Sequence, residues 1–172
     1  LRGRDIKRYG YEFADLYIIT TFPSLKIDIE SYPAVKQHLL SFGYDRLKQT
    51  GDKGARKKTN NKWFETQDSI SYWEDFYKQK IVWKAVGRNL AFSILEEGKF
   101  LTAPASFITT EFGLYYILGF LCSSFGKYFI YNNSDTTGVG DIMLNIQSLT
   151  KIPIPQPYID KQGEVEKIVF DI

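Results

Sequence analysis

The residues best placed to do chemistry are Glu97-Gly98-Lys99 with Asp75 upstream. Metal-dependent nucleases gather two carboxylates and a lysine of this kind around a magnesium ion to activate water. An acid-glycine-lysine triplet is equally what a solvated hairpin tip looks like, with Gly98 supplying the turn, and that is the reading we favour. His38 is the sole histidine and would be the sole imidazole base for a serine or cysteine nucleophile, yet it stands beside Leu39 and Leu40 in a helical pattern. Cys122 is the sole cysteine, which removes disulfides and multi-thiolate zinc sites and fits a reducing, cytoplasmic setting. Gly138-Val139-Gly140 opens like a dinucleotide fingerprint, but Met143 holds the third glycine position, so a loop is the better account. We therefore expect no catalytic residue, no metal site and no cofactor site in these residues.

The positive signal is cationic. Lys and Arg total 22 against 20 acidic residues, a net charge of only +2, so any polyanion must be bound by local clustering. Between Arg46 and Lys62 there are seven basic side chains, one acid (Asp52) and no apolar periodicity. Lys53, Arg56, Lys57, Lys58 and Lys62 can neutralise phosphates there, and Asn60 and Asn61 offer amides suited to an adenine edge or a phosphate. The bland alternative is a solvated surface loop. A second group, Lys84, Arg88 and Asn89, could place a guanidinium on a guanine edge. Arg2, Arg4, Lys7 and Arg8 form a third.

These groups need a scaffold. With 172 residues, 44% hydrophobic and 16% aromatic, the chain can bury one ordinary core, and a single α+β domain is the simplest expectation. Alternating apolar positions predict one or two strands within residues 1–30. Spacing from Ser31 to Gly51 predicts a helix over about 31–49, weakened by Gly43. The basic stretch after it reads as a flexible connection. Ile70 to Gln79 suits a short helix, Lys80-Ile81-Val82-Trp83 a buried strand, and residues 92–101 a hairpin turning at Glu96 to Lys99. Glu111 to Tyr131 is apolar on every side, which predicts one buried helix. Asn132 to Gly140 is turn chemistry, Ile152 to Pro157 is extended because alternate prolines forbid helix, and the tail from Tyr158 is polar. No apolar stretch approaches the roughly 18 residues that cross a bilayer, so no membrane partner is expected.

Five segments in order then resemble one family. They are Gly3-Arg4-Asp5-Ile6-Lys7-Arg8-Tyr9, the Tyr32-Pro33 helix start leading to a basic stretch, Lys62-Trp63-Phe64-Glu65, Lys80-Ile81-Val82-Trp83 with Arg88 after it, and Leu149 to Pro155. Their order resembles the TaqI-like C-terminal specificity domain, the target recognition domain of adenine-specific DNA methyltransferases and fused type IIG restriction-modification enzymes. The resemblance implies a small mixed sheet fold, here over residues 1–158, that binds double-stranded DNA and catalyses nothing itself. An upstream methyltransferase domain would bind S-adenosylmethionine and flip the adenine, and magnesium would be needed only if the parent also cleaves. The Asn-Pro-Pro-aromatic motif of that catalytic domain is absent from this sequence. By position, the resemblance makes Lys53 to Lys62, Lys84 to Asn89, and Asn133, Thr136 and Thr137 the DNA-contacting candidates, with Trp63 and Trp83 as packing residues. Gly87, just ahead of Arg88, departs from the small polar residue expected there. A type I recognition domain and a protein-interaction scaffold are the competing readings.

Overall fold

Lys80-Ile81-Val82-Trp83 shows no polar alternation because both faces of the strand it forms are covered. The structure, a computed structural model, describes residues 1–157 and 159–172. In it the chain divides into two compact units, one of Leu1–Leu16 with Asp75–Ile172, the other of Tyr17–Glu74.

In the first unit, β1 (Lys80–Lys84) lies between β3 (Phe92–Leu95) and β4 (Ala105–Ile108), antiparallel to both. Ile81 and Trp83 face a core of Phe92, Leu118, Leu121, Ile130, Leu144 and Val169. Val82 faces the other way, with Leu95 and Ile6. Beyond β1 the chain passes directly into β2 (Val86–Gly87), which pairs with β6 (Ile142–Met143), itself paired with β5 (Asp135–Thr136). The indole of Trp83 donates to the Leu144 carbonyl at 3.0 Å, and the Leu144 amide donates to Ala85 at 2.8 Å, so the two small sheets are bonded at their junction. The expected α+β class with small sheets is what the chain adopts.

Lys80 is fully buried, which a lysine tolerates only when its ammonium is solvated by protein. It donates to the carbonyls of Phe76, Lys78 and Glu96 at 2.7, 2.8 and 3.3 Å. Burial nevertheless draws its pKa down from 10.5 to about 8, against the pull of Glu96 and Glu97. Between these values the unfolded chain holds the extra proton, so stability contributed at this site rises with pH from about 8 to 10.5 and is level below. Thermal unfolding should therefore show wild type gaining on Lys80→Met across that window; a constant difference between the two would refute the assignment.

Several sequence expectations are revised. Residues 1–30 form no strand: they carry a single bridge, Ile6 to Tyr11, and 3-10 turns at Gly3–Asp5, Pro23–Leu25 and Ile29–Ser31. Both sides of β1 are already taken by β3 and β4, and positive φ at Tyr9, Asp15 and Lys26 interrupts any extended run. The predicted first helix is two pieces, α1 (Pro33–Leu40) and α2 (Tyr44–Leu47), parted at Gly43, whose φ of 91° only glycine adopts readily. Short helical order at Trp73–Tyr77 and the β1 strand stand as expected. The hairpin over 92–101 does not form, because β3 pairs with β1 and residues 100 and 101 are not strand.

The long buried helix is likewise two, α3 (Leu114–Cys122) and α4 (Ser124–Asn133). Ser123 turns extended at ψ 164° and its hydroxyl accepts from the Gly126 amide, capping the second helix while ending the first. After the short α5 (Ile146–Leu149), residues 152–157 are free of helix and strand, as the prolines require. Tyr158, the expected start of the polar tail, lies outside the described residues. The chain ends in α6 (Ile159–Phe170), packed on α3. Gly119 lets this helix in: a Cβ there would stand 2.7 Å from the Val169 side chain.

In the second unit Phe22, Ile29 and Phe64 are buried, and so are three polar side chains, Thr21, Gln49 and Glu65.

Candidate nucleic-acid interface

In the second unit the basic stretch is held rather than loose. The Arg56 guanidinium donates Nε to the Leu47 carbonyl at 2.7 Å, Nη1 to Glu65 at 3.0 Å, and Nη2 to Trp63. Its partial burial lowers its pKa from the ordinary arginine value. Gln49 donates to the Lys62 and Glu65 carbonyls at 3.0 and 2.7 Å and accepts from the Thr59 hydroxyl at 2.6 Å. The Asn61 amide donates to the Thr66 and Gln67 carbonyls at 2.9 and 3.1 Å. These three side chains fold residues 47–67 around a polar hub, replacing the apolar periodicity that the sequence lacks.

The fold thus sorts the predicted residues. Arg56 and Asn61 point their donors inward, into the loop's own backbone. Lys53, Lys57, Lys58, Asn60 and Lys62 remain exposed. Lys62 reaches the Ile27 carbonyl at 3.4 Å and lies 5.5 Å above the Phe64 ring. Among the described residues Lys53, Lys57 and Lys58 make no ion pair, since Asp52 accepts from Thr50 and stands 3.9 Å from Lys48. The arrangement is a rigid frame carrying unpaired ammonium groups, which suits phosphate neutralisation without base specificity.

In the first unit the second sheet joins two candidate segments far apart in the chain. Lys84 ends β1 and β2 leads into Arg88 and Asn89, while Asn133 ends α4 and the β5–β6 hairpin carries Thr136, Thr137 and Asp141. The Arg88 side chain is 78% exposed and its Nε lies 3.6 Å from the Asp141 carboxylate, a loose contact that a better partner can displace. Asn89 and Thr136 are exposed nearby in sequence and pairing. Thr137 is committed to the turn: its hydroxyl accepts from the Asp141 amide at 3.0 Å. Asn133 donates to the Phe129 carbonyl at 2.8 Å, which leaves its amide oxygen as acceptor. Val139, at the hairpin tip, is 71% exposed.

The glycine ahead of Arg88 lies against the Lys84 side chain. A Cβ on Gly87 would stand 2.9 Å from the Lys84 ammonium, and one on Gly3 would stand 3.2 Å from the Lys84 side chain. Both glycines border the Lys84 side chain, and because the atom nearest Gly87 is the flexible end of that lysine, a larger residue there would be met by a small shift of the ammonium.

Two members of the nuclease triplet are engaged with residues outside it. Asp75 pairs with Lys78 at 2.7 Å, and Lys99 pairs with Glu96 at 2.9 Å and the Tyr11 hydroxyl. Among the described residues no three His, Cys, Asp or Glu side chains come together as metal ligands could. The Cys122 thiol is pushed up in pKa by burial, the opposite of an activated nucleophile. His38 is exposed on α1, its ring edge-on to Phe42 at 5.2 Å. Arg8, of the third basic group, and Lys127, which the sequence reading did not single out, border one cavity of the first unit. Lys127 was hidden in a segment that reads as apolar on every side.

What fold and surface define is a small α+β module whose chemistry lies in exposed cations and amides on rigid supports. The chain belongs to the TaqI-like C-terminal specificity domain family, whose profile matches residues 1–154. That family is consistent with DNA sequence recognition by a methyltransferase-associated module. No curated protein matches the chain. No helix among the described residues is long and apolar enough to cross a membrane.

Proposed function

We propose that this chain selects the DNA sequence on which a larger adenine-N6 methyltransferase, or a bifunctional type IIG restriction-modification enzyme, acts. An enzyme that modifies a base in a duplex must extrude it, and a separate module that grips and reads the duplex fixes which base that is. The methyltransferase domain, with its S-adenosylmethionine, would precede this module in the same protein. The observation that carries the reading is the second sheet, which brings Arg88 and Asn89 together with the Asn133–Asp141 hairpin on one support. In mechanism, the lysines of the 47–67 loop hold phosphates, while Arg88 exchanges Asp141 for a guanine edge.

The test is retention of a random duplex pool by the chain at two salt concentrations, followed by sequencing. Salt-dependent retention with an enriched short motif is expected, and Arg88→Ala should relax one or two positions of that motif, at about 1–3 kcal/mol of discrimination each, with little change in salt slope. No retention even at low salt would overturn the reading in favour of a protein-binding scaffold.

A further inference from the structure

A cavity of about 250 Å³ opens in the first unit beside the second sheet. Its floor is apolar, with Phe92, Leu121 and Ile130, and its rim carries Arg8, Asn89 and Lys127. Among the described residues no carboxylate lines it. Arg8, from the opening segment, donates to the Cys122 carbonyl at 2.8 Å and lies 5.0 Å from the Tyr9 ring centre. Lys127, from α4, stands 5.7 Å above the Tyr131 ring. Both are exposed and neither makes an ion pair among the described residues. Two cations thus share the lining of a cavity that no carboxylate lines among the described residues, an arrangement that favours an anion there.

The cavity is also continuous with the reading surface. Asn89 lines it directly, and the Tyr131 hydroxyl on its wall donates to the Arg88 carbonyl. We propose that this cavity seats one phosphate of the DNA backbone, with Arg8 and Lys127 as its two cationic partners and Asn89 as a neutral donor. The inference rests on the DNA-recognition reading. Seating a phosphate next to Arg88 fixes the register of the duplex against the residue that reads it.

The experiment compares wild type with Arg8→Gln/Lys127→Gln and with Arg8→Lys/Lys127→Arg over a series of salt concentrations, using one duplex bearing the enriched motif. The glutamine pair should bind about 10-fold or more weakly near 0.1 M salt and lose about one unit of the log–log salt slope, as for one phosphate contact, with the preferred motif unchanged. The charge-retaining pair should keep both affinity and slope. If the glutamine pair matches wild type while wild type binds with normal salt dependence, the phosphate seat is wrong and DNA recognition stands. If both pairs fall together, the residues act through folding and the seat is again refuted. If wild type itself does not bind, recognition and seat fall together. Binding of inorganic phosphate that does not compete with the duplex would mark a site for a free anion instead, and would also overturn the proposal.

Discussion

Replacing Lys53, Lys57 and Lys58 together by alanine is expected to weaken binding to every duplex by about 10²-fold or more at moderate salt and to remove roughly two to three units of the salt slope. The three ammonium groups are exposed and lack ion pairs among the described residues, so nothing in the fold depends on their charge. The loop is held by Arg56, Gln49 and Asn61, which the change leaves alone. A thermal melt should accordingly stay within about 0.5 kcal/mol of wild type, as for surface substitutions generally. The enriched motif should not move, because phosphate contacts carry no base information. Unaltered affinity and slope would make the loop a solvated surface with no part in binding.

The strand at Lys80 to Trp83 was legible because a short, continuous run of β-branched and aromatic residues has few other homes. Its neighbours were not. Which segment pairs with β1 depends on contacts distant along the chain, and residues 100 and 101 look as good a partner for β3 as β1 does when only nearby residues are compared. The two broken helices show a different limit. Apolar residues stay frequent from Leu114 to Phe129 on both sides of Ser123-Ser124 and Gly126-Lys127, so their density says nothing of direction, and Phe125 and Tyr128 stand exposed. The turn at Ser123 is written only in one hydroxyl, and Gly43 carries the same message in the earlier case. For α6, the polar composition concealed a narrow apolar stripe of Val165 and Val169, sufficient because Gly119 removes a side chain opposite.

At the interface, residue type was readable and residue role was not. Charge and spacing identify the 46–62 stretch as cationic, but they cannot tell an arginine that faces a phosphate from one that satisfies its own backbone. Partly buried carbonyls at Leu47, Trp63 and Glu65 take their donors from one forked guanidinium. Conversely, β2 and β5 are joined through β6, whose two residues give a strand signal too short to read, and the Arg88–Asp141 contact depends on that pairing.

Arg56→Lys separates these roles. Lysine keeps the positive charge but has a single nitrogen, so it cannot span the spread of carbonyls that Nε, Nη1 and Nη2 of Arg56 meet separately. If Arg56 held a phosphate, the substitution would be mild for both stability and binding. As the clamp of the 47–67 loop, its loss should cost roughly 3 kcal/mol, since charge-assisted bonds are removed and carbonyls turned inward lose their donors. Amide exchange is the direct readout. The Arg56 amide, bonded to Lys48, and the Thr59 amide, bonded to Gln49, should exchange many-fold faster in the variant, while the Val82 and Trp83 amides in β1 should not change. DNA affinity should fall through loss of loop order, and the fall should be larger at high temperature, where the unclamped loop opens more often. Unchanged exchange at Arg56 and Thr59 would show that Gln49 and Asn61 suffice to hold the loop, and would return Arg56 to the set of residues free to meet a phosphate.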